Sequence, residues 1–142
     1  SVTGVQTCAL PILVSFSSAD VWADGLSSLT GDEVQKLEAQ GALVVDIRTP
    51  EEWKATGIVP GSKTVTFYDR EGHYDLSGFN RTLRGLAPDS KTPVILVCRS
   101  GHRSGEASKL LAAEWPDRKI LHLGKGISEW IREGKPVSRV LP

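Results

Sequence analysis

Read as a pattern of apolar and polar positions, the chain from residue 29 onward alternates short apolar runs with stretches of helical spacing. Thr30-Gly31-Asp32-Glu33 is a capping box, in which Thr30 and Glu33 satisfy each other's backbone donors at a helix start. Val34 and Leu37 fall on one face of the helix that follows, and Gly41 ends it. Residues 42–47 are apolar apart from Asp46, the pattern of a strand covered on both faces. Thr49-Pro50-Glu51-Glu52 starts a second helix, with Thr49 as cap, Pro50 suited to the first position and Glu52 completing a box. Trp53 is expected to pack inward from it. Residues 57–62 form a turn into a strand over 64–67, and the polar stretch 68–75 reads as a loop.

Leu76, Phe79, Leu83 and Leu86 recur at helical spacing behind Asp75, a plausible cap. After a turn at 88–92, the run Pro93-Val94-Ile95-Leu96-Val97 predicts a buried strand that ends abruptly in Cys98. Arg99, Ser100, Gly101, His102 and Arg103 make a short loop, and Ser104 opens a helix with Ala107, Leu110 and Leu111 on one face. A strand at 120–123, a Gly124-Lys125-Gly126 turn and a short helix carrying Ile127, Trp130 and Ile131 complete the pattern. Strands alternating with helices predict an α/β fold: an open, mostly parallel sheet with helices on both faces and right-handed crossovers. Ligands collect at the carboxyl ends of strands in such sheets. Cys98 lies at one such end, and Asp46-Ile47-Arg48 at another.

Composition narrows the picture without changing it. The 142 residues suffice for one domain with a real core. Lys plus Arg and Asp plus Glu both number 17, so nothing suggests a polyanion-binding surface and any anion site must be local. A hydrophobic share of 39% with 24% charged residues fits a soluble globular chain, and no apolar stretch is long enough to span a membrane. Cys8 and Cys98 make no disulfide scaffold, and His73, His102 and His122 lack a tight metal-ligand spacing, so no metal is expected.

The first residues look unlike the rest. Residues 2–12, Val-Thr-Gly-Val-Gln-Thr-Cys-Ala-Leu-Pro-Ile, match an in-frame translation of a common sequencing-library adapter. Residues 1–12 are therefore expected to be an artefact, which would empty Cys8 of meaning. Residues 13–28 read as a linker, a first edge strand or a secretory-signal remnant, with Ser17 and Ala19 as the small residues before a cleavage site. The last reading leans towards a periplasmic or secreted location, with the cytoplasm as the alternative. Residues 29–142 are assigned to a single domain.

The chemistry concentrates at residues 98–104. A strand delivering a thiol to a loop that ends at a helix N-terminus places backbone amides and the positive helix end around the sulfur, which favours a thiolate and an anion beside it. A lone cysteine is otherwise a small buried hydrophobe. The flanking Arg99, Gly101, His102 and Arg103 favour the reactive reading.

Four pieces in register then carry a family resemblance: Val44-Val45-Asp46-Ile47-Arg48 with Pro50-Glu51-Glu52-Trp53; the 57–62 turn; Cys98 to Ser104; and Leu123-Gly124-Lys125-Gly126-Ile127 with Trp130. Over about residues 29–137 the chain resembles a single-domain rhodanese, a sulfurtransferase. It departs from the family pattern at Ile58, where a histidine is usual, and at Lys125, which separates glycines that are often adjacent. The resemblance implies that Cys98 accepts a sulfane sulfur and becomes a persulfide, a covalent intermediate that needs no dissociable cofactor. It implies a small anionic donor such as thiosulfate and an acceptor such as cyanide, a thiol or a partner protein; nucleic acid is not implied. Arg99, His102 and Arg103 would orient the donor, while Ser100, Gly101 and Ser104 complete the loop, the serines chiefly supporting its backbone. Arg103 alternatively braces the loop through an ion pair, with Asp46 as candidate partner, and Arg48 is a structural partner at its strand end. Rival readings are a persulfide carrier or binding module, and a cysteine phosphatase or arsenate reductase. Four residues separate Cys98 from Arg103, one fewer than in the phosphatase pattern of the related fold, and no aspartate general acid is apparent in a following loop.

Overall fold

The computed structural model describes residues 27–140. The adapter-like segment, Cys8 and residues 13–19 lie outside the described residues. In chain order the elements are β1 (Ser28–Leu29), α1 (Gly31–Ala39), β2 (Leu43–Asp46), α2 (Pro50–Thr56) and β3 (Lys63–Thr64). They continue with α3 (Leu76–Leu86), β4 (Val94–Val97), α4 (His102–Glu114), β5 (Ile120–Leu123) and α5 (Gly126–Arg132). The strands form one sheet in the order β1-β5-β4-β2-β3, and every pairing is parallel.

Side-chain alternation along the strands separates two cores. Val45, Ile47, Val94, Leu96, Cys98 and Ile120 face α3 and α4, where Phe79, Leu83, Ala107 and Leu111 meet them. Val44, Ile95, Val97, Leu121 and Leu123 face α1 and α5, against Val34, Ile127 and Trp130. The period of two therefore sends Cys98 to the α4 side, in line with Val94 and Leu96. All four residues of β4 are fully buried, as a central parallel strand requires.

Local chemistry sets the helix starts. Thr30 and Thr49 both close reciprocal capping boxes, with Glu33 and Glu52. The Asp75 carboxylate accepts the Gly78 N–H at 3.0 Å and caps α3. Two expectations need correction. The edge strand is Lys63–Thr64 rather than 64–67, because β2 is its single neighbour and the ladder loosens into separate bonds from Val65 N to Asp46 O and Phe67 N to Ile47 O. The helix behind the cysteine starts at His102, two residues early, for a reason that lies in the site itself. Trp53 does turn inward: it is half-buried, and its indole N–H reaches the buried Asp46 carboxylate at 3.1 Å.

Candidate active site: the cysteine loop

Cys98 follows the last residue of β4 and is 1% exposed. Its Sγ accepts the backbone N–H of Gly101 at 3.1 Å and of Ser104 at 3.3 Å. Helix α4 has Gly101 at its N-cap and no side-chain cap of its own. Sulfur takes that place: Ser104 is the third helical residue, and its N–H is one of the donors a helix start leaves unpaired. The helix begins early because the chain turns through Gly101, at φ 100°, to bring those donors onto the sulfur. Both amides and the positive helix end favour negative charge there.

The loop rests on the β5–α5 turn. Ile127 N–H donates to Cys98 O at 2.9 Å, and Ser128 N–H to Arg99 O at 3.0 Å. A Cβ on Gly101 would collide with the Gly124 carbonyl, and one on Gly126, at φ 71°, with the Arg99 carbonyl. Gly124 in turn makes room for the Ser28 side chain of β1. The two glycines separated by Lys125 thus serve different contacts.

Arg103 is held by Glu52, not by Asp46. Its two terminal nitrogens donate to the two Glu52 oxygens at 2.8 Å each. That hydrogen bonding, working against the cost of burial and aided by the Thr49 amide, pulls the Glu52 carboxyl down to about 2 and raises Arg103. Asp46 is already committed to Arg48: the pair is 1% and 0% exposed at 2.7 Å, and Asp46 also accepts the Arg48 backbone N–H. Arg48 reaches on to Thr56 Oγ1 and Gly57 O, tying the end of β2 to the end of α2. Asp46 and Arg48 are therefore a buried brace beside the loop.

Arg99, Ser100 and His102 are exposed at the loop's outer edge. A cleft of about 460 Å³ opens beside them, lined in part by Thr49, Tyr68, Arg70, His102 and Arg103. Burial, first of all, raises the pKa of the Tyr68 phenol on the wall of this cleft.

Three participants escaped the sequence reading. Glu52 looked like a capping residue only, and Tyr68 like part of a polar loop. His122, the polar position in the 120–123 strand, is 9% exposed and shares the cysteine's side of the sheet. Its Nδ1 lies 2.9 Å from Ser104 Oγ, which is itself 3.3 Å from Cys98 Sγ. A histidine interrupting an apolar strand was the available signal. Beside the same cleft, which Asp69 also lines, exposed Asp69, Glu71 and His73 bring one potential ligand atom each within 4.8 Å of one another. Asp69 Oδ1 accepts the Glu71 and His73 backbone N–H groups, so this carboxylate organises a turn.

Known proteins resemble this arrangement. The chain is 28% identical over 92 residues to a rhodanese domain-containing protein of Drosophila melanogaster, covering 63% of this chain and 82% of that one. It is 29% identical over 94 residues to the thiosulfate:glutathione sulfurtransferase of Saccharomyces cerevisiae, covering 65% of this chain and 66% of the yeast protein. The thiosulfate sulfurtransferase structure from Pseudomonas aeruginosa superposes with a TM-score of 0.66 at 25% identity, over 87% of this chain and 22% of that one. Residues 30–133, from the α1 capping box to the end of α5, match the rhodanese-like domain, and this chain belongs to that family.

Proposed function

We propose that the protein is a sulfurtransferase in which Cys98 carries a sulfane sulfur between a small anionic donor and a thiophilic acceptor. The observation that carries this reading is the Cys98 sulfur itself, buried at the end of β4 and accepting two amides at the start of α4. Those donors favour a thiolate, the nucleophilic form.

Two displacements make the cycle. The Cys98 thiolate attacks the outer sulfur of a donor such as thiosulfate; the new S–S bond forms, the old one breaks with its electron pair, and sulfite leaves. An acceptor such as cyanide, a thiol or a thiol of a partner protein then attacks the outer sulfur of the persulfide and regenerates the thiolate. The intermediate stays on the chain, and neither a metal nor a dissociable cofactor enters. Arg99, His102 and Arg103 orient the donor and offset charge on the leaving group. Near-complete burial of Cys98 fits a site that admits a single sulfur rather than a bulky ester.

The test is incubation with thiosulfate and cyanide, with thiocyanate measured and Cys98→Ser as control. Thiocyanate from the wild type alone, with a one-sulfur mass increase on the Cys98 peptide, is the expected result. Absence of both overturns the proposal. A persulfide that forms but discharges only to a partner protein would identify a carrier.

A further inference from the structure

Ser104 Oγ stands between three groups. Cys98 Sγ is 3.3 Å away, the Gly101 carbonyl 3.3 Å and His122 Nδ1 2.9 Å, the shortest of the three. Ser104 is 0% exposed and His122 9%, so this chain runs through the core between α4 and β5. His122 faces the cysteine's side of the sheet, and its ring lies under Gly105, where a Cβ would press on Cε1 at 3.3 Å.

A hydroxyl has one proton to give, and a neutral imidazole has one donor and one acceptor nitrogen. Of the ways to meet that arithmetic, two leave the Gly101 carbonyl, an alternative acceptor for the Ser104 proton at 3.3 Å, unused. With Cys98 as a thiol, S–H donates to Ser104 Oγ, and Ser104 O–H donates to a bare His122 Nδ1. With Cys98 as a thiolate, which only accepts, Ser104 O–H must turn to Sγ, and Oγ then accepts from a protonated Nδ1. In this pair of arrangements the thiol and the thiolate go with opposite tautomers of His122.

We propose that His122 is a positioning residue of the cysteine site, acting through Ser104 to carry the Cys98 proton away and to aim the Ser104 hydroxyl at the resulting thiolate. The protons balance. The S–H bond breaks as the Ser104 Oγ gains that proton, and the original Ser104 proton passes to Nδ1. The imidazolium so formed releases its Nε2 proton to water. One proton leaves overall and His122 ends neutral, with Nδ1 donating. His122 keeps 9% of its surface exposed.

Burial, with the Lys109 cation on α4 adding to it, lowers the His122 pKa and keeps the ring neutral, as a relay needs. Its register partners on the flanking strands, Leu96 of β4 and Ser28 of β1, carry no charge. A hydroxyl that also accepts from Nδ1 is a better donor to sulfur, because linked hydrogen bonds polarise one another.

The catalytic meaning of this relay rests on the sulfur-transfer reading, but its test does not. Alkylation of Cys98 by iodoacetamide, followed on the peptide that carries it, reports thiolate directly. In His122→Phe the rate at about pH 7 should fall roughly tenfold, while the rate at about pH 10, where the thiol is ionised regardless, stays at the wild-type value. Ser104→Ala should fall at least as far, and adding His122→Phe to it should cause no further loss. A His122→Phe profile that overlays the wild type, or an effect that adds independently to Ser104→Ala, overturns the relay. If His122→Phe does not fold, the wild-type ring answers: its nitrogen shifts should pass from the Nε2–H to the Nδ1–H pattern over the pH range in which Cys98 becomes reactive. A single tautomer throughout overturns the proposal as well. If these shifts occur but neither persulfide nor thiocyanate forms, the relay stands and sulfur transfer fails.

Discussion

The Glu52 carboxylate grips the Arg103 guanidinium through two parallel hydrogen bonds of 2.8 Å, across 51 residues of sequence. Glu52 also closes the Thr49 capping box, so one side chain fastens the start of α2 to the cysteine loop. Its carboxyl is held at about 2 against an ordinary 4.5. A depressed folded-state value means that its contribution is complete above about pH 4.5 and is lost as pH falls towards about 2. Glu52→Gln should therefore destabilise the protein by about 1 kcal/mol at neutral pH, since the pair is partly exposed and screened. Urea unfolding repeated down the acid range should show a smaller pH dependence for the variant than for the wild type.

Arg99, His102 and Arg103 divide by what holds them. Arg99 and His102 are exposed, so their alanine variants should unfold within about 0.5 kcal/mol of the wild type. Arg99→Ala should raise the KM for thiosulfate about threefold, a surface charge's worth of attraction, and the difference should shrink at high salt. Arg103→Ala should lose both stability and donor binding, because it alone of the three is fastened to α2. Steady-state kinetics at two ionic strengths checks this division.

Asp46 and Arg48 should behave as structure. Removing the Asp46 charge leaves a guanidinium buried at 1% exposure without its counter-ion. Asp46→Ala should cost about 3–5 kcal/mol in chemical denaturation, a large share of a small domain's stability. Activity per folded molecule should fall far less than stability does.

Gly126→Ala should strike the site from behind. The position combines φ 71° with a Cβ that would meet the Arg99 carbonyl, so backbone rather than a flexible side chain must move. Strain of about 1–3 kcal/mol is expected. The larger effect should be kinetic: a loop displaced by about an ångström loses on the order of 100-fold in rate. Thiocyanate formation, compared with the unfolding midpoint, separates the two.

Much of this was legible in the linear pattern. The capping boxes at Thr30 and Thr49, the apolar run into Cys98 and the strand–helix alternation each depend on neighbours within a few residues, and local rules suffice for them. Edge strand β3 was expected but its bounds were not legible, because its one neighbour β2 decides where the pairing stops. Arg103 was assigned a plausible partner in Asp46, yet sequence cannot say which of two carboxylates is already taken.

The sequence by itself determined the layered α/β architecture and the cysteine at a strand end facing a helix start. Only the tertiary structure decided which groups surround that sulfur. Glu52, Gly126 and His122 come to the loop from α2, α5 and β5, and their roles are distances and angles between elements far apart in the chain. Whether a strand histidine is core filling or the second neighbour of a thiol turns on a 2.9 Å contact to Ser104. Periodicity along the chain reports which face a residue takes, and never what meets it there.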